Sequence, residues 1–251
     1  IYSYVEPDFV GITYGNGLFV AVGERGQIVT SPDAVNWTLR SVDIGWMSHG
    51  RDVAYGNGLF VVIADDIILT SSDGNNWTKK YYHYENFQKI AFGNGLFVVV
   101  GERYSNGVIL ISRDGVNWQE INVGNFGVSK IGVTYNNGLF VVAGGKNIFT
   151  SRDGINWTKR NSEHYLGGIA YSDGIFVSRS ERGDCILNSR DGIHWEEIEL
   201  DYFWYVLNVT YCKDRFIAVG TGEKGGFILT SLGNIKWMKQ EVGVNWLYEV
   251  T

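Results

Sequence analysis

The sequence predicts an all-β fold, a six-bladed β-propeller of four-stranded antiparallel blades, and three observations carry that expectation. A ten-residue motif recurs six times: SPDAVNWTLR at 31, SSDGNNWTKK at 71, SRDGVNWQEI at 112, SRDGINWTKR at 151, SRDGIHWEEI at 189 and a worn SLGNIKWMKQ at 231. A second motif keeps the same beat, as YGNGLFV at 14 and 55, FGNGLFV at 92, YNNGLFV at 135, YSDGIFV at 171 and YCKDRFI at 211. The composition agrees: 33 Gly, 2 Pro and 15% aromatic residues suit many short strands joined by tight turns.

Each unit reads as four strands. Strand A is the run before the first turn, such as RDVAY at 51 or QKIAF at 88. The G-N-G that follows supplies the residues with positive φ that a two-residue hairpin demands. Strand B is LFVVV or its equivalent, a loop such as GERG follows, and strand C is a run such as IILTS. The D-G-x-N segment turns the chain into strand D, WTKK or WQEI. No stretch carries an apolar i, i+3, i+4, i+7 stripe, so essentially no helix is expected. Four short strands in about 40 residues describe a propeller blade, and a closed ring removes the exposed sheet edges. The whole of 1–251 is read as one domain of six repeats, with the motif tryptophans (Trp37, Trp77, Trp118, Trp157, Trp195 and Trp237) 38 to 42 residues apart. IYSYVEPDF at the start resembles a D strand running into A, and VNWLYEVT at the end resembles the start of a seventh A strand. These overhangs suit strand-exchange closure or excision from a longer array; six blades, with a terminal strand completing the ring, is the expectation.

The net charge of −6 argues against nucleic acid and anionic membrane as partners. No apolar run is long enough to cross a membrane, and the N-terminus lacks a signal-peptide pattern. Cys185 and Cys212 and the four histidines (His49, His83, His164 and His194) form no set with metal-ligand spacing, so neither metal nor cofactor is expected. Two cysteines placed at opposite faces are not expected to pair. They suit a reducing compartment and equally an exported bacterial protein; the expectation adopted is a bacterial extracellular or cell-surface location.

The turn between C and D resembles the Asp-box of the sialidase-like (BNR) repeat propellers, which run S-x-D-x-G-x-x-W; this chain has the shorter S-x-D-G-x-x-W. The resemblance covers nearly the whole chain and extends to bacterial propellers similar to photosystem II assembly factors. It implies that Asp33, Asp73, Asp114, Asp153 and Asp191 hydrogen-bond the amides of their own turns while the Trp packs between sheets. These carboxylates are therefore read as structural, which is also what Asp does locally in turns.

Connectivity places the near-identical A–B and C–D turns on one face and the variable B–C and D–A loops on the other, and variable loops on a rigid scaffold carry function. The D–A connections bring Trp46, Phe87, Phe126, Tyr165, Trp204 and Trp246 to the mouth of the channel, where aromatics stack on a sugar or anchor a peptide. They equally suit filling gaps between blades. The B–C loops carry Glu24 and Arg25, Glu102 and Arg103, Glu181 and Arg182, and Glu223 and Lys224, which can bind hydroxyls or a carboxylate, or serve as solvated ion pairs.

The sialidase resemblance also implies an arginine triad, a Tyr nucleophile with its Glu, and an Asp acid. Only Arg51 stands on an inner strand, with Lys89 and Lys130 nearby, and no F-R-I-P stretch occurs. Asp52, Glu85 and Glu249 are candidates for a glycosidase pair by position alone. The reading is a non-catalytic module for a glycan or a protein on the D–A/B–C face, with no catalytic residue assigned. A sialidase-like hydrolase and a structural spacer in a longer surface protein are the alternatives.

Overall fold

The computed structural model describes residues 9–40, 42, 49–82, 85–104, 106–124, 131–180, 182–199, 205–212, 214–223, 225–232 and 237–241. The first unit forms a sheet of β1 (Phe9–Gly15), β2 (Leu18–Gly23), β3 (Ile28–Ser31) and β4 (Thr38–Arg40), with a single 3-10 turn at Glu24–Gly26. The second forms β5 (Gly50–Gly56), β6 (Leu59–Ala64), β7 (Ile67–Ser71) and β8 (Thr78–Tyr81). The third forms β9 (Glu85–Gly93), β10 (Leu96–Arg103), β11 (Asn106–Ser112) and β12 (Gln119–Ile121). A six-stranded sheet follows, from β13 (Gly132–Asn136), β14 (Leu139–Ser151), β15 (Thr158–Ser172), β16 (Ile175–Ser180), β17 (Cys185–Ser189) and β18 (Glu196–Glu199). The last sheet holds β19 (Tyr205–Cys212), β20 (Arg215–Gly222), β21 (Gly225–Leu232) and β22 (Trp237–Glu241). Every pairing is antiparallel and every sheet is a meander, as a propeller of antiparallel blades requires.

The expected six blades are corrected to five. In the fourth unit the B–C connection stays extended, so β14 covers both strand positions, and β15 runs from the fourth unit's D position into the fifth unit's A position. Gly145 pairs with Leu166 across the point where two blades would otherwise separate. The fourth and fifth repeats therefore share one sheet. The expectation that a terminal strand closes the ring rests on 1–8 and 242–251, which lie outside the described residues.

Strand B is apolar on both faces because each face meets a different neighbour. In the second unit Phe60, Val62 and Leu69 pack with Val20, Val22 and Ile28 of the first. The alternate residues Val61, Ile63 and Ile68 pack with Phe87, Ile90 and Phe97 of the third. The period of two along a strand thus feeds two separate cores. The Phe of each GLFV sits at the centre of its cluster: the Phe140 ring lies 4.5 Å from Tyr135 and 6.4 Å from Trp157, and it is fully buried. The Trp packing between sheets and the Tyr opening each second motif are two sides of this one cluster.

The G-N-G turns form as their residues dictate, with Asn57 at φ 49° and Gly58 at φ 78°. The first glycine has a different reason. A Cβ on Gly56 would fall 2.2 Å from the Phe92 ring of the next unit, so that ring rests directly on bare backbone. Asn57 also donates from Nδ2 to the Gly95 and Arg113 carbonyls, at 3.1 and 2.8 Å, tying its turn to two turns of the following unit.

The aspartates do what their local chemistry predicts. Asp33 Oδ1 accepts the N–H groups of Val35 (2.9 Å) and Asn36 (2.7 Å) and the Ser31 hydroxyl (2.9 Å), while Oδ2 accepts Asn36 Nδ2 at 2.7 Å. Trp37 Nε1 closes the turn on the Ala34 carbonyl at 3.2 Å. The carboxylate bonds recur at Asp73, Asp114 and Asp153, and at Asp191 with His194 in place of the Asn; Trp77, Trp118 and Trp157 close their turns as Trp37 does, whereas Trp195 Nε1 is buried without a hydrogen-bond partner. The Asn36 N–H and side chain, then Val35 and Ser31, hold the Asp33 carboxyl well below the usual carboxylate range, and equivalent donors do so at the other four.

Two predictions follow from this packing and these turns. Phe140→Ala removes a fully buried ring and should cost about 3–5 kcal/mol in urea denaturation, against little change for an exposed residue such as Val35→Ala. Because the folded aspartates titrate below the unfolded value near 3.9, their contribution is complete above about pH 4 and is lost as pH falls towards the folded value. Melting temperature should therefore hold between about pH 5 and 7 and drop below about pH 4, less steeply in Asp153→Ala.

Candidate functional site

Five inner strands slip in register against their neighbours, whereas β13 pairs regularly with β14. The register between β1 and β2 slips between Phe9 and Gly11, that between β5 and β6 between Gly50 and Asp52, and that between β19 and β20 between Val206 and Asn208. In β9 the slip falls at Gln88, and in β15 it spans Leu166 to Ile169. A bulge of this kind re-aims the unpaired residue out of the ladder. The residues so released (Val10, Arg51, Gln88, Gly167, Gly168 and Leu207) all line one cavity of ≈550 Å³. It gathers the starts of the inner strands, the ends of β10 and β16 and the first B–C loop, which places it on the axis at the D–A/B–C end.

Its two sides differ. The side formed by β5 and β9 is polar: His49, Arg51, Asn86, Gln88 and Lys89, with Glu24 and Glu102. Asp65 accepts the His49 N–H at 2.9 Å and Arg51 Nε at 2.9 Å, and Arg51 Nη2 approaches it to 2.7 Å. Burial pushes the Asp65 carboxyl up, but the His49 N–H and Arg51 outweigh it and leave it below its ordinary value. Asp52 is buried beneath, accepting the N–H groups of Val53 (2.9 Å) and Ile90 (3.1 Å), with Lys89 Nζ at 3.9 Å. Desolvation dominates there and raises its pKa despite Lys89. The opposite side, from β13, β15 and β19, is more apolar: Ile131, Gly132, Gly167, Gly168, Ile169 and Leu207, with Arg179 and Asn208 among them.

Of the residues expected from sequence, Glu24 and Glu102 do meet in this cavity. The B–C loop pair of the third unit, however, is not an ion pair. Glu102 accepts Asn86 Nδ2 at 2.8 Å, whereas Arg103 turns to the buried Glu85 (Nε to Oε1 at 2.9 Å) and to Glu120 at 3.0 Å. A guanidinium held by two carboxylates neutralises a buried charge, and that explains its place. Arg182 and Glu223 are exposed in turns away from the cavity. Phe87 is corrected from a channel-mouth aromatic to a core residue: its ring is fully buried with Ala54, Ile68 and Phe97, edge-on to Tyr82 at 5.4 Å. Tyr165 is 57% exposed, with Lys146 Nζ 5.0 Å from its ring centroid, and it stands outside the cavity. Trp46, Phe126, Trp204, Trp246, Glu181 and Lys224 lie outside the described residues, as does the side chain of Arg25.

The glycosidase candidates are also placed. Asp52 is enclosed and Glu85 is bound to Arg103, so neither faces the other across the cavity; Glu249 lies outside the described residues. Gln88, Asn86 and Arg179 are cavity residues that sequence reasoning missed. The bulge that exposes Gln88 leaves no mark in the repeat pattern, and Asn86 reaches the cavity from the regular ladder opposite Glu102; Arg179 does leave a mark, as the one charged residue at its place in the six B strands.

Comparisons with known proteins agree with this architecture. A family model described as the DUF6242 beta propeller domain matches residues 84–204. No curated protein sequence matches the chain. Among solved structures, the chain is similar to YCF48 from Cyanidioschyzon merolae at 17% identity and a TM-score of 0.72, covering 98% of this chain and 90% of that one. A structure of YCF48 bound to D1 peptide is similar at 18% identity and a TM-score of 0.72, covering 95% and 82%. A streptogramin B lyase structure is similar at 10% identity and a TM-score of 0.77, covering 96% and 85%. At such identities the likeness is one of fold: a β-propeller shared by proteins with different ligands.

Proposed function

We propose that the chain is a non-catalytic binding module that takes a protein segment at the mouth of its channel, on the D–A/B–C face. The observation that carries this is the convergence of bulged inner strands on one cavity of ≈550 Å³ with a polar side and an apolar side. An extended segment has matching needs: backbone and polar side chains for one wall, an aliphatic side chain for the other. The likeness to YCF48 bound to D1 peptide supports the choice of a peptide ligand. The S-x-D-G-x-x-W turns are read as shortened Asp-boxes, stapling the scaffold rather than binding anything. A bacterial extracellular or cell-surface location remains part of the proposal.

Glycan recognition is the weaker reading, because of the described aromatics Phe87 is core and Tyr165 stands outside the cavity. Hydrolysis is weaker still, because Asp52 and Glu85 are already engaged.

The test is a peptide array and a glycan array probed with the same purified protein, alongside a fluorogenic sialoside. Competable binding to a set of peptides is expected, with Leu207→Trp, which narrows the mouth without touching an ion pair, weakening it by about tenfold or more. Binding to a defined sugar class instead, or turnover of the sialoside, would overturn the reading.

A further inference from the structure

Two side chains at the mouth are oriented by a partner that can bond in only one sense. Gln88 is the residue that the slip between β9 and β10 releases from the ladder, and its Oε1 accepts the Ile131 N–H of the next unit at 2.8 Å. A main-chain N–H can only donate, so the carboxamide must turn its oxygen to Ile131 and its NH2 group the other way. Asn86, two residues earlier, donates from Nδ2 to Glu102 Oε1 at 2.8 Å. An ionised carboxylate can only accept, so the Asn86 carbonyl faces away from Glu102. Both side chains are half-buried, and with Glu102 they line the cavity. Among the described residues, no second partner takes the Gln88 NH2 group, Asn86 Oδ1 or Glu102 Oε2.

This wall therefore offers a guest a fixed donor beside fixed acceptors. An anionic guest would be repelled by Glu102, and a cationic one would be opposed by the Gln88 N–H groups. A neutral group carrying both an acceptor and a donor satisfies the two side chains together. The peptide unit is such a group, and one edge of an extended chain presents its C=O and N–H groups in alternation. Gly132, Gly167 and Gly168, without side chains on the opposite wall, leave width for a backbone to pass.

We infer that Gln88 and Asn86 read the main chain of the bound segment, Gln88 donating from Nε2 to a backbone carbonyl while Asn86 Oδ1, with Glu102 beside it, accepts a backbone N–H. The inference rests on the proposed binding of a protein segment. It also divides the labour of the mouth: a main-chain contact is the same for every residue, so this wall selects an extended chain, and sequence preference falls to Ile131, Ile169 and Leu207 across the cavity.

The experiment follows the Gln88 Nε2 resonances of the ¹⁵N-labelled full chain during titration with three uncharged probes. Acetyl-tetraalanine N-methylamide carries main-chain amides alone. The same chain N-methylated at every alanine and capped as a dimethylamide keeps the carbonyls and lacks the N–H groups. Propanamide supplies a bare carboxamide, as an Asn or Gln side chain would. Tetraalanine should shift the resonances saturably, its methylated form should bind more weakly, and propanamide should leave them unmoved. An equal response to propanamide would assign the pair to a side-chain carboxamide and overturn the inference, as would silence with tetraalanine. Gln88→Glu keeps an oxygen for Ile131 and removes the donor. It should fold with a melting temperature near that of the parent and hold every neutral peptide captured on the array about tenfold more weakly, whatever its sequence. A loss confined to peptides that share one side chain would place the contact on that side chain and sink the main-chain reading. The titration uses the unaltered chain, so it decides the matter even where Gln88→Glu melts early. Peptide capture sensitive to Leu207→Trp but unchanged in Gln88→Glu would overturn this inference and leave the binding function standing. Tetraalanine shifting Gln88 while the arrays yield only a sugar would sustain the amide-reading pair and sink the protein-segment reading.

Discussion

The B strand of the second unit is apolar on both faces, and a sheet with two apolar faces has to be covered twice. Phe60 and Val62 look towards the first unit while Val61 and Ile63 look towards the third, so the second unit has no core that is its own. Each core belongs to a pair of neighbours, and burying its residues is what orders them radially. The aromatic cluster of Tyr, Phe and Trp sets how closely two sheets approach, and the bare Gly56 beneath the Phe92 ring shows how little room is left. Polar bonds then fix the angle: the Asp33-type turns brace the C–D corners of the first five units, and Asn57 links a corner to the unit that follows.

At the other end of the same strands the constraint reverses. Regular pairing continued to the channel mouth would point alternate side chains back into the two cores, leaving nothing for a ligand. The bulges break that alternation once in each slipped ladder and turn Arg51, Gln88 and Leu207 towards the axis. Burial of Asp52 and Glu85 beside the mouth costs solvation, and Lys89 and Arg103 offset it. These charges support the wall.

What could be read from sequence follows the range of the interaction involved. Asn57–Gly58 and the Asp33 turn involve residues within three positions of one another, so motif and geometry map one to one. Strand order was legible because each hairpin is short. The number of separate sheets was not, since it depends on whether the segments around Gly145 and Leu166 leave the ladder, and tertiary pairing decides that. Phe87 was misread because an aromatic entering an inner strand points to the channel or into a core according to a one-residue slip at Gln88. Glu102 and Arg103 are adjacent in sequence and so point to opposite faces of β10, which a loop reading overlooks. Arg179 was visible as a departure from the repeat, and comparing the six copies position by position would have found it.

The pairing of Gly145 with Leu166 has a mechanical meaning. Where two blades meet only through side chains, they can slide or tilt by small amounts at little enthalpic loss. Where a backbone ladder runs from one into the other, they form a single stiff plate. That plate carries Gly132, Gly167, Gly168 and Arg179, so this wall of the mouth is held by one continuous backbone ladder. A guest arriving there meets a mould already set on one side, and less of its binding free energy is spent on ordering the host.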